Sequence, residues 1–175
     1  QITMLTGEGV FANCKQLETV TFANKTYQGA GFGSRFFYGC SKLKEITIPA
    51  SVQKLFGDAF RAAVNLKELI MPSAIYDRQA RNGALLEWVE LTGAGRHFSQ
   101  DGVIFFRWNN GTVELDTCPR GRSTPYTVPD GIAEIAERAF QGCKKLPEIY
   151  FAGKIPKMAQ YAFLDCTSLQ IPKQY

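Results

Sequence analysis

At 175 residues, with 45% hydrophobic and 21% charged residues, the chain has the make-up of one folded domain or one repeat array with ample material for a core. No run of about 18 apolar residues appears, so no membrane span is expected. A formal net charge of +4, with Lys and Arg interspersed among Asp and Glu, lacks the concentrated basic stripe of a nucleic-acid binder.

The chain opens on Gln1, without a Met or a charged-then-apolar leader, and Ile2 and Leu5 fit the tail of a repeat already under way. The expectation is an excised or processed piece. Phe11…Cys14…Leu17…Val20…Phe22 then states a phrase that returns as Phe37…Cys40…Leu43…Ile46…Ile48-Pro49. It returns again, 23 residues on, as Phe60…Ala63…Leu66…Leu69…Met71-Pro72. A worn copy sits at Ala80…Gly83…Leu86…Val89…Leu91, and two more follow at Phe140…Cys143…Leu146…Ile149…Phe151 and Phe163…Cys166…Leu169. Self-similarity at a short fixed period marks stacked repeats. The units fall near 11–36, 37–59, 60–79, 80–97, 140–162 and 163–175 of a single domain spanning 1–175.

Each unit carries the same local grammar. Gly57-Asp58-Ala-Phe60-Arg-Ala-Ala63 reads as one or two helical turns with Asp58 near the N-cap, Phe60 and Ala63 sharing the inward face. Leu66 to Met71 then alternates with period two, a strand with Leu69 and Met71 inward, which Pro72 ends. A second extended piece, Val52 to Leu55, crosses the coil. Such a unit cannot bury its own apolar edge, so stacking supplies the core. Gly29-Ala-Gly31-Phe-Gly33 lacks the flanking strand, helix and Lys-Ser/Thr of a phosphate loop, and reads as a bulged corner.

The frame breaks over 98–127, where Val103 to Leu115 predicts an inserted β-hairpin. Asn110-Gly111 supplies a type I′ turn, which sets Trp108 opposite Val113, Arg107 opposite Glu114 and Phe106 opposite Leu115. The apolar face is then Ile104, Phe106, Trp108, Val113 and Leu115, docked on the array. Cys118 falls outside the frame, whereas Cys14, Cys40, Cys143 and Cys166 share one slot, held elsewhere by Ala63 and Gly83. A slot shared by Cys, Ala and Gly wants a small semi-apolar group, so packed thiols are expected there.

Chemistry finds little support. His97, the one histidine, has no recognisable nucleophile to serve. The cysteines come about 23 apart rather than as metal-binding pairs, and no motif places two carboxylates together. No catalytic residue, metal or cofactor is assigned, and the chain is not expected to be an enzyme. Outward strand positions serve binding better. Across coils they form two rows: Thr19, Glu45, Glu68, Trp88 and Glu148, then Thr21, Thr47, Ile70, Glu90 and Tyr150. Ile70, Trp88 and Tyr150 are larger and more apolar than an exposed sheet needs: rimmed by charge they mark a partner site, or else the docked hairpin or a neighbouring domain covers them. The candidate partner-binding residues are Glu45, Glu68, Ile70, Trp88, Glu90 and Tyr150.

The frame AF-x-x-C-x-x-L-x-x-I-x-I-P, with the Asp101-Gly-Val hairpin and the Val128-Pro-Asp-Gly-Ile132 re-entry, resembles the BspA-type leucine-rich repeats found in surface proteins of oral and gut bacteria and some protozoan parasites. The resemblance implies an α/β right-handed solenoid, with a strand and short helical turns in each coil of about 23 residues. It further implies secretion or display at the cell surface, and binding to host extracellular or matrix proteins, other cells or glycans. The alternatives are a structural spacer or an accessory domain of a larger surface protein or secreted enzyme.

Overall fold

The computed structural model describes residues 7–23, 31–56, 58–76 and 86–170. Twelve short strands follow in order: β1 (Gly31–Phe32), β2 (Glu45–Thr47), β3 (Lys54–Leu55), β4 (Glu68–Pro72), β5 (Trp88–Thr92), β6 (His97–Gln100), β7 (Val103–Arg107), β8 (Val113–Thr117), β9 (Tyr126–Val128), β10 (Ile132–Ile135), β11 (Ile149–Phe151) and β12 (Lys157–Met158). They form a β-solenoid of about five turns. Strands at the same place in successive coils pair in parallel: β2 with β4 and β4 with β5, β1 with β3, β9 with β11, and β8 with β10 and β10 with β12.

The repeat phrase becomes columns. Phe37 and Phe60 stack with centroids 5.6 Å apart, Phe11 and Phe37 at 5.3 Å, and Phe140 and Phe163 at 4.8 Å. Leu43, Leu66 and Leu146 are wholly buried, as are Cys40, Ala63 and Cys143 in the small slot. All five cysteines are thiols. Cys40 and Cys166 donate to the main-chain oxygen of the Phe one coil earlier, Phe11 and Phe140, each at 3.0 Å. The thiol fills the small slot and adds a second hydrogen bond to a carbonyl that already accepts an amide, from Cys14 N or Cys143 N.

The expected α/β class and its helical turns are corrected. Among the described residues the helix is one 3-10 turn, Ser73–Ile75. Each phrase instead folds as tandem four-residue turns, with Ala63 N bonding Phe60 O and Leu66 N bonding Ala63 O, and likewise from Phe37 and Phe140. The reason is a left-handed residue two after the column Phe: Asn13, Gly39, Ala62, Gly142 and Asp165 all have φ near +60 to +75°. A positive φ stops a right-handed helix at its first turn and fits the third residue of a type II turn. Asp58 also changes role. Its carboxylate accepts Ser34 Oγ at 2.9 Å and Arg35 N at 3.3 Å, bracing the preceding coil rather than capping its own.

The hairpin forms with a different register. β7 and β8 pair antiparallel with Phe105 opposite Leu115, Phe106 opposite Glu114 and Arg107 opposite Val113. Asn110 keeps a negative φ, and Gly111 alone is left-handed. Gly111 N bonds Trp108 O and Trp108 N bonds Thr112 O, giving a three-residue loop with a glycine bulge. Asn110 Oδ1 holds the Thr112 amide at 3.1 Å and its hydroxyl at 2.8 Å, which fixes that loop. One residue of slip puts Phe105 rather than Phe106 opposite Leu115. Trp108, expected inward, is 49% exposed, whereas Ile104 and Leu115 are buried as expected and Val103 and Phe105 are buried as well. The two-residue turn with both central φ positive lies instead at Asp101-Gly102, between β6 and β7.

β7 is flanked by two cores. Ile104 joins the cluster built from Phe32, Phe37, Phe60, Leu66 and Val89, whereas Val103 and Phe105 join the cluster of Leu115, Tyr126, Phe140 and Leu146. Cys118, read as outside the frame, occupies the column position of the repeat Phe. Its amide bonds Ala139 O, just as Phe37 N bonds Ala59 O and Phe140 N bonds Ala162 O. The segment after β8 is thus a coil whose Phe slot is filled by a thiol. The anticipated tail at Ile2 and Leu5, the corner at Gly29, and the worn copy's Ala80 and Gly83 lie outside the described residues.

Candidate functional site

The parallel register of β2, β4 and β5 aligns Glu45 with Glu68 and Trp88, and Thr47 with Ile70 and Glu90. Inward neighbours Ile46, Leu69 and Val89 are buried in the core, so these six side chains stand on the outer face by strand alternation. Thr19 and Thr21 of the first coil extend that face. The main chain joins it there, Lys44 N bonding Glu18 O. A groove of about 860 Å³ runs over these coils, lined by Thr19, Thr21, Glu45, Thr47, Glu68 and Ile70 with Pro49, Ala50 and Ser51 on its wall.

The groove is acidic although the chain is net basic. Glu45 and Glu68 sit side by side on paired strands and form no ion pair among the described residues. Lysines at the strand entrance are engaged: Lys67 with Glu87 at 3.0 Å and Lys44 with Glu18 at 4.0 Å. Adjacent like charges repel at the short strand spacing. Counter-charge from a ligand would relieve that repulsion.

Trp88 closes the far side of the sheet, 38% exposed. Its ring lies on the Asp101-Gly102 turn, where a Cβ on Gly102 would meet Trp88 Cδ2 and Cε3 at 2.7 Å. Gly102 O accepts Val89 N, so the turn takes the edge of β5. Arg122, buried, grips the turn from behind, donating to Asp101 O and Oδ2, both at 2.7 Å. Its guanidinium lies 4.8 Å over the Tyr126 ring, and Tyr126 Oη and Arg122 Nε are buried with no hydrogen-bond partner among the described residues. Burial, with the Cys118 thiol adding to it, pushes the Tyr126 hydroxyl pKa well up.

Tyr150 stands apart from the other five candidates. It pairs with Thr127 in the separate β9–β11 sheet, and its hydroxyl donates to Glu148 Oε2 at 2.7 Å. That bond to the carboxylate raises the Tyr150 pKa. The two expected rows therefore do not run unbroken along the molecule, because the Asp101-Gly102 turn stands at the edge of β5. Sequence reasoning missed this turn as a boundary, though its Asp-Gly dipeptide was the signal.

His97 lies on β6, half-buried, with its ring 4.8 Å from Tyr76 and 4.8 Å from Phe106. Tyr76 Oη bonds the buried Asp116 carboxylate at 3.3 Å. Among the described residues no group of three His, Cys, Asp or Glu could hold a metal ion, and no helix is long and apolar enough to cross a membrane.

A sequence profile of the BspA type leucine rich repeat region matches residues 4–81 and 122–173, in six copies. No curated protein matches the chain. The crystal structure of a leucine rich cell surface protein from Faecalibacterium prausnitzii A2-165 is similar in fold, with a TM-score of 0.55 at 21% identity. That match covers 94% of this chain and 56% of the other, so the chain spans just over half of that protein. A leucine-rich repeat protein from Eubacterium ventriosum ATCC 27560 aligns at 12% identity and a TM-score of 0.35, over 81% of this chain and 69% of that one.

Proposed function

The chain belongs to the BspA type leucine rich repeat family, and from that premise we propose that it is a non-catalytic recognition module working at the cell surface, binding an extracellular protein through the groove over the first coil, β2 and β4 and the adjoining outer face of β5. The observation that carries this reading is the groove itself: open, acidic and lined by Ile70, with Trp88 38% exposed on the next strand of the same face. Exposed aromatic and branched side chains amid charge are the usual anchors of a protein interface. Surface placement draws on the family and on the surface-protein description of the F. prausnitzii neighbour. Leucine-rich repeats commonly serve as interaction surfaces, and stacked coils give such a surface its length.

The test is immobilised chain against a panel of extracellular matrix proteins. For any protein that binds, Ile70→Ala with Trp88→Ala is expected to weaken the affinity tenfold or more. Tyr150→Ala, on the other sheet, is expected to bind like the parent. A groove double variant with unchanged affinity refutes the assignment of the site.

A further inference from the structure

Away from the groove, a second cavity of about 440 Å³ opens on the turn side of the later coils, lined by Arg120, Lys144, Lys145, Gln141 and Asp165 over a floor of Gly121 and Gly142. Its shape follows from the left-handed slot. Gly142, at φ +75°, takes in its coil the place that Asn13, Ala62 and Asp165 take in theirs. Without a side chain there, a notch remains between coils, and Arg120 Cδ and Nε come within 3.7 and 3.8 Å of where a Cβ would stand. The register is held by main-chain bonds on both sides, Cys118 N to Ala139 O and Gly142 N to Leu164 O.

Three cations thus face one carboxylate, Asp165, and none of Arg120, Lys144 and Lys145 forms an ion pair among the described residues. Clustered like charge in a concave site concentrates field and attracts counter-ions, and a guanidinium suits the oxygens of a tetrahedral anion. No aromatic ring lines the cavity, which removes the stacking platform a nucleic-acid strand uses. The cations are exposed, so a lone ion gains little there, whereas a chain carrying many anions gains by multivalency. We propose that this cavity is a second binding site, independent of the strand-face groove, which takes the sulfate or phosphate ester groups of an acidic polysaccharide.

The experiment is titration of the whole chain with a sulfated octasaccharide at roughly 50 and 200 mM salt. Arg120→Ala with Lys144→Ala and Lys145→Ala is expected to weaken binding at least tenfold and to flatten the salt dependence by about two units of slope, near 0.7–0.9 per lost contact. Lys15→Ala with Lys42→Ala, which remove exposed lysines from the matching turns of earlier coils, are expected to leave affinity within twofold. Equal losses in the two sets would reduce the effect to general charge and overturn the site. Parent-like binding by the triple variant overturns it too, and so does tighter binding of a single-stranded oligonucleotide of matched charge than of the octasaccharide.

Discussion

Replacing Phe140 by alanine removes a ring that is wholly buried, stacked 4.8 Å from Phe163 and tilted 6.2 Å from Tyr126. The backbone around it is held by bonds from Phe140 N to Ala162 O and from Cys143 N to Phe140 O, so the coils can close on the void only partly. Loss of a core phenyl with such limited relaxation costs about 3–5 kcal/mol. For a chain of this size that corresponds to a melting point lower by about 6–20 °C. Chemical denaturation followed by circular dichroism reads the change as a shift in midpoint. Phe11→Ala, in the half-buried first coil, provides the comparison and should cost less. A loss below about 1 kcal/mol for Phe140→Ala would mean that the Phe column is not the core, since surface changes stay within about 0.5 kcal/mol.

Three further outcomes are expected. Gly102→Ala meets both a left-handed φ of +70° and the Trp88 ring at 2.7 Å, so it should destabilise by about 1–3 kcal/mol and shift Trp88 fluorescence in a Trp108→Phe background; an unchanged emission would contradict the packing. Ala62→Gly should stabilise by up to about 1 kcal/mol, because Ala62 sits at φ +62° at a cost of about 1–2 kcal/mol that exceeds the entropy glycine adds to the unfolded chain; a measured loss would refute the strain. Burial, with Cys143 beside it, raises the Cys166 thiol from 9.0 to about 11, and burial raises Cys40 as well. Between the unfolded and folded values the unfolded chain holds fewer protons, so stability is full below about pH 9 and falls as pH rises toward 11. Cys166→Ala should flatten that decline in alkaline denaturation curves.

Much of the architecture was legible because the repeat writes its columns in residue type. Phe60, Ala63, Leu66 and Leu69 are buried where the frame puts them, and strand alternation placed Glu45, Glu68 and Ile70 on one open face. The tandem turns were misread as helical because both structures bring residues three apart together. The distinguishing signal was present in Asn13, Gly39, Gly142 and Asp165, residues that tolerate a left-handed backbone. Local chemistry could not choose between Asn110-Gly111 and Asp101-Gly102 as the two-residue turn. The Arg122 grip on Asp101 is the tertiary contact that sets one turn, and the bonds of the Asn110 side chain to Thr112 fix the other as a three-residue loop. Cys118 in a Phe slot was invisible for the same reason, as only the bond to Ala139 reveals its place.

In a stack of repeats, either end can melt while the rest stands, because each unit leans only on its neighbours. β7 alters that, since Ile104 belongs to one half and Val103 and Phe105 to the other. Withdrawing the strand strips both halves at once, so the two should come apart in a single step. A pull applied along the chain should then meet its strongest resistance at the middle, after any loose coil at either end has peeled away.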